Sequence, residues 1–251
     1  MRQRGRRAPN QTSNLAPQTS SSPLRWLAYM LSRFLLKLIL GFSTRTHILH
    51  RERTRLGGGW LLAANHISHF DPPFLGVACL RKMDWMASRE FYDVPLLGLW
   101  MKAVDTFPVD REKPDRASIR TALSRLKAGR VVGMFPEGGI RDGERSVLNG
   151  ASLRPGLSAL AEMSGAPVMP CVIVGSDHLY TPKKWLPFRR SQTWVSFGEP
   201  IHFQGEGKEA RAKFDAEFAA ALQALLAELR AKFSIVDGDL PQPAGRRKGR
   251  V

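Results

Sequence analysis

Between Trp60 and Phe197 short apolar runs alternate with longer amphipathic ones, and this alternation constrains the fold more than any other feature of the chain. Strand signals fall near residues 60 to 64, 103 to 109, 131 to 135, 168 to 174 and 193 to 197, and helix signals near 72 to 80, 94 to 101, 115 to 128 and 155 to 164. Strands separated by helices bury their apolar faces as a layered sheet with helices on its surfaces, so an α/β fold is expected. Lys208 to Phe233 reads as a closing amphipathic helix. Its Phe214, Phe218, Leu222, Leu225, Leu226 and Leu229 form one stripe that packs on the domain. A length of 251 residues suits one core of this kind with tails.

A different signal precedes the sheet. From Leu24 to Phe42 the chain is apolar except for Arg25, Arg33 and Lys37 and a few small residues. At about 100° per residue the three cations fall within roughly a third of the helical circumference. A spanning helix needs about 20 nearly uncharged residues, and Arg33 or Lys37 at the bilayer centre would each cost roughly 2.5 to 3.5 kcal/mol. Residues 23 to 44 are therefore expected to form an amphipathic helix in the membrane interface, with Trp26 and Tyr29 at headgroup level. The alternative is an amphipathic helix packed on its own domain.

Much of the formal charge of +16 sits at the ends, in Arg2, Arg4, Arg6 and Arg7 and in Arg246, Arg247, Lys248 and Arg250. Residues 1 to 22 and 237 to 251 are expected to be disordered basic tails around a domain spanning 45 to 236. Such charge is drawn to anionic headgroups. No nucleic-acid-binding signature accompanies it, so nucleic acid is not an expected partner. Cys79 and Cys171 lie in apolar segments without a CxxC partner or metal-ligand spacing, which predicts buried thiols, a reducing compartment and no metal site. The cytoplasmic face of a membrane fits both expectations.

The chemistry centres on Asn65-His66-Ile67-Ser68-His69-Phe70-Asp71, where the strand at 60 to 64 breaks into a helix. Asp71 reads as an N-cap with Pro72 at the first helical position. The turn can also fold the imidazole of His66 back onto the carboxylate of Asp71, fixing its tautomer and stabilising the imidazolium formed when it takes a proton. Ser68 lacks a Gly-x-Ser-x-Gly elbow and reads as a support of the turn rather than a nucleophile.

The pattern Asn-His-x-Ser-x-x-Asp resembles the first motif of the glycerolipid acyltransferases, the lysophosphatidic acid acyltransferase family, and Asn65, His66, Ser68 and Asp71 match it. Phe107-Pro108-Val109-Asp110-Arg111, Phe135-Pro136-Glu137-Gly138-Gly139 and Val168-Met169-Pro170-Cys171 resemble the second, third and fourth motifs, in the family's order. The third departs from the family pattern. Gly139-Ile140-Arg141 stands where Thr-Arg-Ser is usual, so the arginine arrives one residue late.

The resemblance implies a mixed central sheet flanked by helices and the transfer of a fatty acyl group from acyl-CoA or acyl carrier protein to a lysophospholipid hydroxyl. The acceptor it implies is 1-acylglycerol-3-phosphate. His66 and Asp71 are then the catalytic pair. Asn65, Ser68, Arg111, Glu137, Gly138, Gly139, Arg141 and Arg154 form the substrate-binding set, and no cofactor beyond the acyl donor is expected. Within that set, Glu137 would touch the acceptor or the glycine turn, the arginines would hold phosphate, and the amides of Gly138 and Gly139 would face the oxyanion. Two alternatives stay open: an acceptor without phosphate, such as an acylated amino acid or another lysolipid, and a catalytically silent lipid-binding module.

Overall fold

The structure, a computed structural model, describes residues 22 to 110, 115 to 180 and 191 to 241. Its strands are β1 (Thr44–Leu49), β2 (Trp60–Ala64), β3 (Met83–Ser88), β4 (Phe107–Val109), β5 (Val131–Met134), β6 (Val168–Val174) and β7 (Ser191–Phe197). They form one sheet in the order β1-β7-β6-β2-β5-β3-β4. Only the β6–β7 pair is antiparallel, so the sheet is mixed, as expected. The helices are α1 (Pro23–Ser43), α2 (Asp71–Ala78), α3 (Pro95–Ala103), α4 (Arg116–Lys127), α5 (Leu157–Ser164) and α6 (Gly207–Phe233).

Strand β2 shows why the sheet has two covered faces. Leu61 and Ala63 point into a core shared with Ala122 and Leu126 of α4, Leu160 of α5, and Phe218 and Leu222 of α6. Trp60, Leu62 and Ala64 point the other way, toward Leu40 of α1 and Phe74 and Leu75 of α2. A strand buried on both faces has no polar side to display, which is the origin of its unbroken apolar run. Each large side chain buried this way contributes about 1.5 to 3 kcal/mol.

Sequence periodicity misses β1 and β3. The second is hidden by Asp84, a buried carboxylate in mid-pattern. Its partners are Lys82 at 3.0 Å, Arg130 at 2.6 Å and Arg125 at 3.2 Å, and Lys82 also meets Asp105 at 2.7 Å. The strand expected over 103 to 109 shrinks to Phe107–Val109, because α3 continues to Ala103 and Asp105 reverses the chain at a φ of 65°. The domain also runs past its expected end at 236. Leu240 is buried, and Gly143 N–H donates to the Pro241 carbonyl at 3.0 Å. The remaining tail arginines and Lys248 lie outside the described residues, as does Arg111.

Helix α1 is long and apolar enough to cross a membrane, yet one of its faces is committed to the domain. Tyr29 and Leu40 are buried, and the Arg33 guanidinium donates to the carbonyls of Val77 and Cys79 at the end of α2. Arg51 adds bonds to Ala78 O at 2.7 Å and Val77 O at 3.1 Å. A helix C-terminus leaves carbonyls without partners and carries partial negative charge, so two guanidiniums are well matched to it.

Candidate active site

The parallel strands β6, β2 and β5 lie side by side, and the loops leaving their C-terminal ends converge, which is where open α/β sheets place their ligand sites. The loop after β2 carries His66, the loop after β5 carries Glu137 to Arg141, and Ser176 follows β6.

His66 Nδ1 lies 2.8 Å from Asp71 Oδ2, and Asp71 is fully buried. The same oxygen accepts the backbone N–H groups of Ile67 at 2.7 Å and Ser68 at 2.9 Å, while Ser176 Oγ donates to Oδ1. A carboxylate acceptor at Nδ1 puts the ring proton there and leaves Nε2 as the basic nitrogen. The expected cap is different in detail. Asp71 holds the turn that precedes α2 rather than the first turn of α2 itself, where Pro72 and Pro73 have no N–H to cap, and the Asp71 and Phe74 amides bond to the Ser68 and Phe70 carbonyls.

The imidazole is fixed on its face as well. Phe135 stacks on it with ring centroids 3.9 Å apart and an interplanar angle of 13°, and Trp85 stacks on Phe135 at 5.0 Å and 8°. A Cβ at Gly133 would come within 2.6 Å of the Trp85 ring, so a glycine in mid-strand makes room for the stack. Such pairs contribute about 0.5 to 1.5 kcal/mol beyond their burial. Sequence reasoning assigned a role to neither Ser176 nor Phe135. Phe135 opens the third motif but was given no role there, whereas nothing local marks Ser176.

Asn65 and Ser68 are turned into the protein. Both are fully buried. The Asn65 amide pairs with Ile173 of β6 through Nδ2 to the carbonyl and Oδ1 from the N–H, each at 2.8 Å, continuing the β2–β6 ladder past the end of β2. Ser68 Oγ accepts the Phe70 N–H at 3.1 Å, the turn-supporting role expected of it. Glu137 is also turned inward. Its Oε2 accepts the His66 N–H, and its Oε1 accepts the Val147 N–H at 2.7 Å and the Ser146 hydroxyl at 3.2 Å. Burial pushes this carboxyl up to about 7. With Arg141 N–H donating to the His66 carbonyl at 2.8 Å, the loop after β5 grips the His66 backbone from both sides.

Gly138 has a φ of 69°, and its N–H closes a turn on the Phe135 carbonyl at 3.0 Å, so that amide is already used. Gly139 N–H makes no such bond among the described residues. The Arg154 side chain lies across Gly138, where a Cβ would meet its Cδ at 2.5 Å, and Arg154 N–H bonds to the Pro136 carbonyl at 3.0 Å. Arg141 Nε donates to the Glu137 carbonyl at 3.3 Å. Arg141 and Arg154 therefore both border the glycine turn beside His66.

His66 also lines an apolar cavity of about 260 Å³ between the sheet and helices α1, α2 and α3, with Trp85, Met86, Phe91, Leu97 and Met101 in its walls. The two cysteines cannot serve as nucleophiles. Both are free and buried, and burial raises the Cys79 thiol to about 11 and that of Cys171 well above its ordinary value.

The chain is similar to known acyltransferases. A family model described as Acyltransferase matches residues 45–174. The 1-acyl-sn-glycerol-3-phosphate acyltransferase of Bacillus subtilis (strain 168) is 32% identical over 168 residues, covering 66% of this chain and 79% of that protein. The Saccharomyces cerevisiae enzyme of the same name is 25% identical over 88% of this chain and 72% of its own length. The crystal structure of the 1-acyl-sn-glycerophosphate acyltransferase from Thermotoga maritima shares the fold, with a TM-score of 0.61 at 20% identity over 84% of this chain and 89% of that one. By the family match and the Bacillus relative, the chain belongs to the glycerolipid acyltransferases and is an acyltransferase.

Proposed function

We propose that the protein acylates the free hydroxyl of 1-acylglycerol-3-phosphate to give phosphatidic acid, with acyl-CoA or acyl carrier protein as donor. The observation that carries this reading is the His66–Asp71 pair at the wall of an apolar cavity, bordered by Arg141 and Arg154. The cavity suits a fatty acyl chain, and the arginines suit the acceptor's phosphate, with Arg111 assigned to the same anion by its motif. Nε2 of His66 takes the acceptor proton as the hydroxyl oxygen attacks the thioester carbonyl. Gly139 N–H stabilises the oxyanion. The C–S bond then breaks, and the thiolate leaves with the proton from the imidazolium. Direct transfer is supported by the burial of Ser68, Cys79 and Cys171.

The same reading has the enzyme peripheral on the cytoplasmic face of a membrane; the outward apolar face of α1 supports contact with lipid, and free buried thiols suit a reducing compartment. Thiol release from each donor, with and without 1-acylglycerol-3-phosphate, tests the reaction. His66→Ala should lower acceptor-dependent release by about 100 to 10,000-fold with the fold unchanged. Release that ignores this acceptor but responds to a lysolipid lacking phosphate would assign the site to that acceptor class, which the displaced Arg141 permits.

A further inference from the structure

Helices α1 and α3 carry their side chains in the reverse of the arrangement water favours. On α1, Tyr29, Ser32, Arg33 and Leu36, spaced i, i+3, i+4 and i+7, turn inward and line the cavity, while Leu27, Leu31, Phe34 and Leu38 are exposed. On α3, Leu97, Trp100 and Met101 line the same cavity, while Leu96 is 83% and Leu99 67% exposed. Trp100 Nε1 donates to Ser32 Oγ at 2.9 Å, which holds the two helices side by side, and Arg25 of α1 pairs with Asp105 just beyond α3 at 3.4 Å. Neither helix contains an acidic residue. Lys37 and Lys102 are their exposed charges besides the paired Arg25, and the exposed acids Glu90 and Asp93 lie just before α3.

We propose that α1 and α3 form a single lipid-facing platform that docks on an anionic bilayer leaflet. In this arrangement α3 inserts Val94, Leu96 and Leu99 beside the N-terminal helix, and the cavity lies directly behind the lipid surface. This rests on the membrane placement given above and adds a second inserting element and the charge of the lipid it meets. The exposed Lys37 and Lys102 match anionic headgroups, and the exposed apolar side chains of two adjacent helices match the acyl region beneath them. The cavity behind the platform takes the same kind of chain.

The test uses the full chain and vesicles of phosphatidylcholine alone or with one third phosphatidylglycerol. Leu96 and Leu99 do not line the cavity, so Leu96→Glu/Leu99→Glu should keep transfer to detergent-dispersed acceptor within about twofold while weakening flotation about tenfold or more. Met163→Glu alters an exposed apolar residue of α5, on the other side of the sheet, and should leave flotation unchanged. A fluorophore on Leu99→Cys should shift to the blue with vesicles, more strongly with phosphatidylglycerol, and be quenched by lipid labelled in the upper acyl chain. Flotation of the double variant equal to the parent, or a probe at position 99 indifferent to vesicles, overturns the platform. So does a parent dimer that the double variant splits without losing flotation, which would make this face a contact between copies. Absence of transfer by every form in detergent counts against the proposed reaction and leaves the flotation comparison intact.

Discussion

Replacing Asp71 with asparagine separates the charge of this side chain from its shape. Asp71 Oδ2 accepts from His66 Nδ1 and the amides of Ile67 and Ser68, and Oδ1 accepts from Ser176. Alanine would strand all four donors in a fully buried place at about 1 to 3 kcal/mol each, a large part of a typical stability of about 5 to 15 kcal/mol, so that variant would report unfolding. Asparagine can keep its carbonyl oxygen toward the three donors and turn its amide toward Ser176 Oγ, which can accept. What it removes is the charge opposite the imidazolium. Two unit charges about 4 Å apart at an effective dielectric constant of about 20 attract by about 4 kcal/mol, and the neutral hydrogen bond that remains returns about 1 kcal/mol. The net loss of about 3 kcal/mol in the transition state corresponds to roughly a hundredfold fall in kcat. Turnover at saturating donor and acceptor, read beside the thermal midpoint, measures both effects. A folded Asp71→Asn enzyme with kcat within about threefold of the parent would refute the role of this carboxylate in stabilising the imidazolium.

Glu137 titrates at about 7 in the folded protein against an ordinary value of 4.5, so between those pH values the folded state holds a proton that the unfolded chain has released. Stability from this group therefore falls as pH rises from about 4.5 to about 7 and is level above. Glu137→Gln lacks that slope, and a constant offset in thermal midpoint between the two proteins across the window would count against it. Arg141→Ala and Arg154→Ala should each raise KM for a phosphate-bearing acceptor by about tenfold or more with little change for the acyl donor, and Arg111→Ala should do the same. Unchanged KM in all three variants would move the phosphate elsewhere.

The His66–Asp71 pair is legible because it is local. Five residues of turn suffice to bring His66 and Asp71 to 2.8 Å, and both side chains are named in one short motif. Their supports are not local. Ser176 is 105 residues from Asp71, and Asn65 meets Ile173 across 108 residues, so their roles exist only once β2 and β6 are paired. Glu137 was legible as a site residue but not in its function. A carboxylate beside a glycine turn reads as a ligand for substrate, whereas the fold surrounds it with the protein's own donors. Strand β3 was missed for a related reason, because a buried Asp84 breaks an apolar pattern that its ion pairs with Lys82 and Arg130 make tolerable.

For α1 the sequence pattern shows a cationic stripe opposite a broad apolar one, but a helical wheel does not say which stripe faces which medium. Arg33 serves the unpaired carbonyls at the end of α2, and Arg25 meets Asp105. The first turn of α2 contains Asp71, and α1 supplies Tyr29, Ser32, Arg33 and Leu36 to the cavity wall. One helix thus has two separable jobs. Deleting residues 1 to 42 would open the cavity and release the end of α2, so activity should be lost even on detergent-dispersed acceptor. Phe34→Glu, on the exposed face, should lower activity on vesicle-borne acceptor several-fold and leave detergent activity near that of the parent. If the truncated enzyme turned over detergent-dispersed acceptor normally, α1 would be a tether and no part of the acyl-chain wall.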